Sequence, residues 1–356
     1  MNTAVFLGAG ASAAEGAPIQ SQLFQEYFSS RSVRQYPDIF KELSHFFKAI
    51  FDIDLNDDAQ IDGGKFPTFE EALGILDLSE ARRESFRDFD FAGANPQGNK
   101  AQLLRLYLVL AMSKAISDGL SRSPGSFHST LIDNLRTQQL LSDTIFISTN
   151  YDLVIDEALG FEVNYGVDFS GSNKFGGKRE ILPGVRLFKL HGSLNWLYCP
   201  VCNNLSSYET KVVLSLMTEG KPVNNCEFCQ SAVSPMIVPP TFYKDMSRVF
   251  LGNIWNKCEN ALRDTDHMIF CGYSLPDADM HIKYLLKRMQ TNRGVPQQVR
   301  FTIFNHREGK TEDEASMEEQ RYQRFFGSGI NYTRKSFQDF VQDPAAVYSP
   351  AYPKKV

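Results

Sequence analysis

The chain has 356 residues, with 37 Lys+Arg against 42 Asp+Glu and a formal net charge of −5, so neither nucleic acid nor an anionic membrane surface is attracted to it in general. Its 42% hydrophobic, 22% charged and 12% aromatic residues are ordinary globular usage, enough to bury a sizeable core and unlike a disordered chain. No apolar run reaches the roughly 18 uncharged residues of a membrane span, because Arg105 and Lys114 interrupt the most hydrophobic stretch, Leu103 to Ile116.

The first element is a strand over Ala4–Leu7 that runs into Gly8-Ala9-Gly10-Ala11-Ser12. The run Ala4–Ala14 is not read as a signal peptide, since it lacks a basic n-region and is broken by Gly8 and Gly10. Glycines at these positions let the backbone approach a ligand closely, and a helix that follows offers free N–H groups to a phosphate. The same residues also describe a tight strand-to-helix turn with no ligand. A hydride-transfer enzyme is disfavoured. Ala13 stands where the third glycine of the dinucleotide fingerprint would fall, and about twenty residues on the chain reads Ser29-Ser30-Arg31-Ser32 with no strand before it.

From Ile19 to Leu141 the pattern is mostly helical and reads as an insertion packed on the sheet. Phe69–Leu78 and Ala101–Leu120 carry apolar residues at helical spacing, and Ser126-Phe127-His128 leads into a helix through about Arg136. The segments Asp52–Lys65 and Asp88–Asn99, rich in Asp, Gly and Asn, read as loops.

A second strand, Thr144–Ser148, is followed by Thr149-Asn150-Tyr151-Asp152, and a third, Arg186–Leu190, by His191-Gly192-Ser193. Asparagine supplies both a donor and an acceptor for fixing a water or a ribose hydroxyl. Histidine accepts a proton near neutral pH, although a histidine after a strand also reads as a satisfied structural residue. Next come Cys199-Pro200-Val201-Cys202 and Cys226-Glu227-Phe228-Cys229, separated by 23 residues. Two such pairs supply four thiolates to one tetrahedral Zn²⁺ in a closed structural site; unrelated surface pairs and redox dithiols share the spacing. Six cysteines in a chain this long do not make a disulfide framework, and a reducing, cytoplasmic setting is expected. Cys258 and Cys271 read as buried hydrophobes.

Strands are also expected at Met236–Val238, His267–Cys271 and Phe301–Phe304, followed by Pro239-Pro240, Gly272-Tyr273-Ser274 and Asn305-His306. Buried strands of this kind with helical patterns between them predict an α/β fold with a mainly parallel sheet. Ligands of such sheets bind beyond the carboxyl ends of the strands, where all the candidate residues except the cysteines fall.

The order Gly8–Ser12, Gly16-Ala17-Pro18, Asn150-Tyr151-Asp152, His191-Gly192, Cys199 to Cys229, Gly272-Tyr273-Ser274-Leu275 and Asn305 resembles the sirtuin superfamily, from end to end of the chain. The resemblance implies a Rossmann-like sheet domain over residues 1–198 and 235–345, with the helical insertion at 19–141, a small four-cysteine zinc module at 199–234 and a tail at 346–356. It implies NAD as a substrate, with Gly8, Ala9, Gly10 and Ser12 at the pyrophosphate and Asn150 and Asp152 lining the nicotinamide-ribose pocket. It further implies His191 as general base at the ribose hydroxyls and Gly272, Ser274 and Asn305 at the adenosine half.

Protein-deacylating sirtuins follow their Gly-x-Pro with Asp-Phe-Arg, where this chain reads Ile19-Gln20-Ser21-Gln22-Leu23. Where they carry a segment that pairs with the acyl-lysine peptide as an added strand, this chain reads Ile237-Val238-Pro239-Pro240-Thr241-Phe242, and proline removes backbone donors. The motifs Thr149–Asp152, His191-Gly192-Ser193-Leu194-Asn195-Trp196 and Gly272–Asp279 look like those of bacterial sirtuin-like effectors of antiphage defence. That likeness implies hydrolysis of NAD⁺ to nicotinamide and ADP-ribose, with Asn150 and His191 catalytic, and arrest of the infected cell by NAD depletion. A protein deacylase or ADP-ribosyltransferase, and a non-catalytic module binding NAD or ADP-ribose, are the other readings. An ungated NAD hydrolase would kill its host. Control is therefore expected from a co-encoded activator or sensor, an ATPase or an Argonaute-like protein, or from homo-oligomerisation, with the helical insertion as its surface. Neither direct nucleic-acid binding nor a membrane is expected.

Overall fold

Twelve strands form among the described residues: β1 Thr3–Leu7, β2 Ala94–Asn95, β3 Gly98–Asn99, β4 Thr144–Ser148, β5 Val163–Asn164, β6 Val185–Lys189, β7 Gly192–Cys199, β8 Asn204–Ser207, β9 Ser234–Ile237, β10 His267–Cys271, β11 Arg300–Phe304 and β12 Asn331–Tyr332. The computed structural model describes residues 2–87, 89–90, 94–95, 98–122, 125–167, 184–207, 225–238, 249–292, 299–306 and 310–349. Among the described residues no helix is long and apolar enough to cross a membrane.

Seven strands make one sheet in the order β12-β11-β10-β1-β4-β6-β5, parallel at every pairing. Every residue of β1, β4, β10 and β11 is buried, as expected of parallel strands covered on both faces, and this is why their centres read as mainly apolar runs without polar–apolar alternation. The chain builds outward from β1 through β4 and β6 on one side and through β10 and β11 on the other. Strand order therefore reverses at β1, a topological switch point of the Rossmann-like kind. Leu7 lies opposite both Cys271 and Ser148, so the three central strands end level with one another.

The chain gathers into two compact units. The first, Met1–Glu15, Pro124–Ser193 and Asp245–Val356, holds the parallel sheet with the helices Phe127–Thr137, Val249–Leu262, Met280–Thr291 and Glu312–Phe326. The second, Gly16–Ser123 and Leu194–Lys244, combines the helices from Leu23 to Arg122 with the sheet β8-β7-β9. Its core is aromatic: Phe24 and Phe28 meet Phe47 edge-on at 5.0 and 5.2 Å between ring centroids. The 23-residue helix Lys100–Arg122 buries Leu104, Leu108, Ala111 and Ala115 along one stripe. Arg105 on that helix pairs with Asp77 at 3.1 Å and donates to the Ile237 carbonyl at 2.6 Å, so the charge that interrupts the apolar stretch has a structural purpose.

Several boundaries differ from the sequence reading. Residues 16–123 group with β7–β9 while 124–141 group with the parallel sheet, so the helical stretch Ile19–Leu141 is divided between the two units. Met236–Val238 was expected in the parallel sheet, but the strand is β9 of the smaller one; a short apolar run does not reveal which sheet it joins. Asp52–Lys65 contains a helix, Asp58–Gly63, whose cap Asp57 accepts from Ala59 N at 3.0 Å, so this part of the polar composition is cap chemistry as well as loop. Asp88–Asn99 contains the short antiparallel pair β2–β3. The expected tail overlaps a helix, Pro344–Tyr348, in which Tyr348 is buried and meets Thr144 Oγ1 at 3.0 Å; residues 350–356 lie outside the described ones.

In the first unit Glu15 accepts from the backbone N–H of His128 at 2.6 Å and meets its Nδ1 at 2.7 Å, and both side chains are buried. Burial raises the Glu15 carboxyl, but the His128 ring and backbone N–H more than offset it, leaving the group below its ordinary 4.5. A depressed carboxylate contributes stability that is full above the unfolded value and is lost as pH falls through the lower folded one. Glu15→Ala is expected to lower stability by about 1–3 kcal/mol at neutral pH by orphaning two buried partners, with the deficit shrinking in acid. Thermal unfolding at neutral and acid pH checks this, and an unchanged neutral-pH midpoint would contradict it.

Candidate functional site

At the switch point two backbone turns are laced together. Gly8 N donates to Cys271 O at 2.9 Å, Gly10 N to Gly272 O at 2.8 Å, and Gly272 N to Phe304 O at 2.9 Å. A Cβ on Gly8 would sit 2.6 Å from Gly272 O, and one on Gly272, whose φ is +64°, would sit 2.1 Å from Ala11 N. Glycine is thus demanded by the protein's own backbone. The N–H groups of Gly8 and Gly10 are committed to these bonds, while Ala9 is exposed at the head of a five-residue helix, Ala9–Ala13.

Asn150 ties this turn to the end of β4. Its Nδ2 donates to Gly8 O at 2.9 Å and to Ser12 Oγ at 2.8 Å, and Ser12 Oγ donates to Asp152 Oδ2 at 2.7 Å. The direction of this chain is set by chemistry. A carbonyl and a carboxylate only accept, so the amide nitrogen must face Gly8, and the serine proton must go to Asp152. Both Asn150 amide protons are therefore spent, and what the side chain offers a ligand is the acceptor Oδ1. Ser12 likewise offers a lone pair and no proton.

Beneath this chain lies a fully buried cation. Lys189, the last residue of β6, pairs with Asp156 Oδ2 at 2.9 Å and also donates to the backbone carbonyl of Asp152. Tyr165 OH bonds the other oxygen of Asp156, and Asp152 Oδ1 accepts from Val154 N at 3.1 Å. The segment 149–156, a loop that runs into the helix Val154–Leu159, is thereby held at its backbone and at both of its acidic side chains.

His191 follows β6 and is buried, its ring centroid 6.2 Å from that of Tyr151. Its Nε2 lies 3.7 Å from Asp279 Oδ1, and Asp279 Oδ2 accepts from Tyr273 OH at 2.9 Å. The Ser193 hydroxyl, two residues on, is buried without a hydrogen-bond partner among the described residues. On the other side of the switch point, Asn305 Nδ2 donates to Tyr273 O at 3.1 Å and Glu318 Oε1 at 2.7 Å, and Lys310 pairs with Glu318 at 2.8 Å. Ser274 is exposed, with its carbonyl accepting from Arg321 at 2.8 Å.

The residues expected around NAD from residue numbers 8 to 305 thus come together at the carboxyl ends of β1, β4, β6, β10 and β11 in one unit. Asp279, Lys189, Asp156 and Glu318 were not anticipated as part of that cluster. Asp279 has a signal, since it closes the Pro276-Asp277-Ala278-Asp279 run after the Gly272 turn; Lys189 has none beyond its place at the end of β6, and Asp156 and Glu318, on the helices Val154–Leu159 and Glu312–Phe326, have none.

In the second unit the ligand atoms of Cys199, Cys202, Cys226 and Cys229 all lie within 4.8 Å of one another. Cys199 and Cys229 sulphurs are 3.5 Å apart and those of Cys202 and Cys226 3.4 Å. Tetrahedral zinc with Zn–S of about 2.3 Å has sulphurs about 3.8 Å apart, so the four thiols fit such an ion. Cys258 and Cys271 are buried in the first unit, and burial raises both thiols above their ordinary range.

A SIR2-like domain is matched over residues 144–326. Among solved structures, one titled Sir2Tm bound to a propionylated peptide is 14% identical, with 99% of this chain and 94% of that one covered and a TM-score of 0.42. Another, Sir2 with a p53 peptide and NAD⁺, is 13% identical, with 98% and 94% covered and a TM-score of 0.45. No curated protein matches the chain.

The cysteine geometry leads to a direct expectation. Protein purified without chelator should carry one zinc per chain, and Cys202→Ser should lose the metal and unfold at lower temperature. Metal analysis with thermal unfolding checks this; metal-free protein of equal stability would contradict it.

Proposed function

The chain belongs to the SIR2-like domain family, and from that premise we propose that it binds NAD⁺ at the carboxyl ends of the parallel strands and hydrolyses it to nicotinamide and ADP-ribose. Water forms a bond to C1′ of the nicotinamide ribose as the C1′–N bond breaks. The bonding pair passes to the pyridinium nitrogen, nicotinamide leaves neutral, and the water loses one proton. Because the leaving group is good, the protein's work is to position a water and stabilise an oxocarbenium-like ribose.

The observation that carries the site assignment is the enforced direction of the Asn150 amide, which turns Oδ1 away from Gly8 and Ser12 as an acceptor for a water or ribose O–H. In this reading His191 takes the proton or orients a ribose hydroxyl, Asp152 borders the same ribose through Ser12, and the turns Gly8–Ser12 and Gly272–Ser274, with Asn305, hold the pyrophosphate and adenosine halves. What favours water over an acyl-lysine peptide is that Arg105 already donates to the Ile237 carbonyl, at the segment that the family resemblance assigns to strand addition. Pro239 to Phe242, the rest of that segment, lie outside the described residues. Zinc at the four cysteines is structural in this account.

The same reading makes the reaction an effector of antiviral defence in the cytoplasm, acting by NAD depletion and gated by a co-encoded activator or by self-assembly. Its support is the likeness of the three motifs around Asn150, His191 and Gly272 to those of bacterial sirtuin-like effectors.

Incubation with NAD⁺, with and without the product of a neighbouring gene, should release nicotinamide and ADP-ribose in equal amounts. Asn150→Ala and His191→Ala should each reduce turnover by roughly 10²–10⁴-fold. Full turnover in both variants would overturn the assignment. Release of O-acyl-ADP-ribose from an acylated peptide would favour a deacylase instead, and tight NAD binding without turnover a regulatory module.

A further inference from the structure

We infer that Asp279 is the positioning residue for His191, holding its imidazole by Nε2 and stabilising the imidazolium that forms when it takes a proton. The reaction served is the NAD⁺ hydrolysis proposed above; the pairing itself stands on geometry.

The first observation is a cap not made. Asp279 occupies the N-cap of the twelve-residue helix Met280–Thr291, yet its side chain makes no capping hydrogen bond. Aspartate at that position ordinarily accepts from the first turn of its own helix. Here the carboxylate is turned elsewhere: Oδ2 accepts from Tyr273 OH at 2.9 Å and Oδ1 faces His191 Nε2 at 3.7 Å.

Burial sharpens the point. Asp279 is 1% exposed and His191 2%. A carboxylate withdrawn from water this far needs a donor or a cation for each oxygen. Tyr273 supplies one and the imidazole faces the other.

Tyr273 is itself fixed. Its ring lies 4.6 Å from that of Phe6 on β1, and its carbonyl accepts from Tyr322 OH at 2.6 Å and from Asn305 Nδ2 at 3.1 Å. The carboxylate is therefore aimed by a residue anchored to the same turn that packs on Gly8 and Gly10. A separation of 3.7 Å is ion-pair distance, longer than the 2.7–3.2 Å of a hydrogen bond. Catalytic contacts of this kind commonly tighten once substrate is bound, and a shift of about 0.7 Å would complete this one. With Nε2–H directed at Asp279, the neutral ring keeps its lone pair on Nδ1. The proton lost by water comes to rest on the imidazole, and Asp279 stays ionised.

The test has two readouts. In steady-state hydrolysis Asp279→Asn, which keeps shape and removes charge, should lower kcat by about 10²-fold or more with KM for NAD⁺ nearly unchanged, and Tyr273→Phe should lower kcat by about 10-fold. In ¹⁵N spectra of histidine-labelled protein, the His191 ring, assigned by its absence in His191→Gln, should be protonated on Nε2 and become a mixture of tautomers in Asp279→Asn. A merely structural Asp279 would lower stability and leave the tautomer as it was. An unchanged kcat together with an unchanged ring signal overturns the inference. Should Asp279→Asn fail to fold, Tyr273→Phe carries the same two measurements. Should the wild-type protein not hydrolyse NAD⁺, the proposed function fails, while the ring spectrum still decides for or against the pair.

Discussion

The candidate site hangs on one close approach, that of the turn after β1 to the turn after β10. Gly8, Gly10 and Gly272 bring two backbones to a distance at which a Cβ on any of them would overlap a main-chain atom. The contact levels the ends of the central strands at the place where strand order reverses. It also presents the Gly8 carbonyl, and that acceptor orients Asn150, whose second amide proton orients Ser12, whose own proton orients Asp152. The carbonyl at one end and the carboxylate at the other can only accept, so a single backbone contact propagates into a directed row of side chains.

Buried ionisable groups surround that row. Lys189 with Asp156 lies under the loop that carries Asn150, Asp279 faces His191, and Lys310 with Glu318 supports Asn305. Buried pairs are poor sources of net stability, because desolvation offsets most of their attraction. Their consequence is geometric: a loop held by a lysine at its backbone and by a tyrosine at its carboxylate has little freedom to turn Asn150 away. For a reaction limited by placing water against a ribose carbon, rigidity of this kind is what the protein can contribute.

Much of the sheet was legible in the sequence. The runs at Ala4–Leu7, Thr144–Ser148 and His267–Cys271 are short with apolar centres, Ile145–Ile147 and Met268–Phe270 in the last two, because both faces of those strands are covered. The residues at their carboxyl ends were legible as well, since small and polar types interrupt such runs where a ligand-facing loop begins. The glycines were legible as a turn, but their cause was not: the pattern Gly-Ala-Gly does not say whether a phosphate or another strand's backbone lies against it. Nor does a strand such as Ser234–Ile237 announce that it belongs to the smaller sheet. Arg105 reads only as a break in an apolar stretch, and the Gly272–Asp279 motif does not say which group Asp279 faces. Their meaning depends on Ile237 and His191, 132 and 88 positions away in the chain, and pairings at that range leave no local trace.

The central claim is that Asn150 Oδ1 meets the reacting ribose or its water while Nδ2 stays on the Gly8 carbonyl. A crystal structure with ADP-ribose bound tests it most directly. The account predicts the ribose, or a water beside its C1′, within hydrogen-bond distance of Asn150 Oδ1, with the Gly8 and Ser12 bonds intact. ADP-ribose bound away from the ends of β1, β4 and β10, or an Asn150 amide released from Gly8, would contradict it.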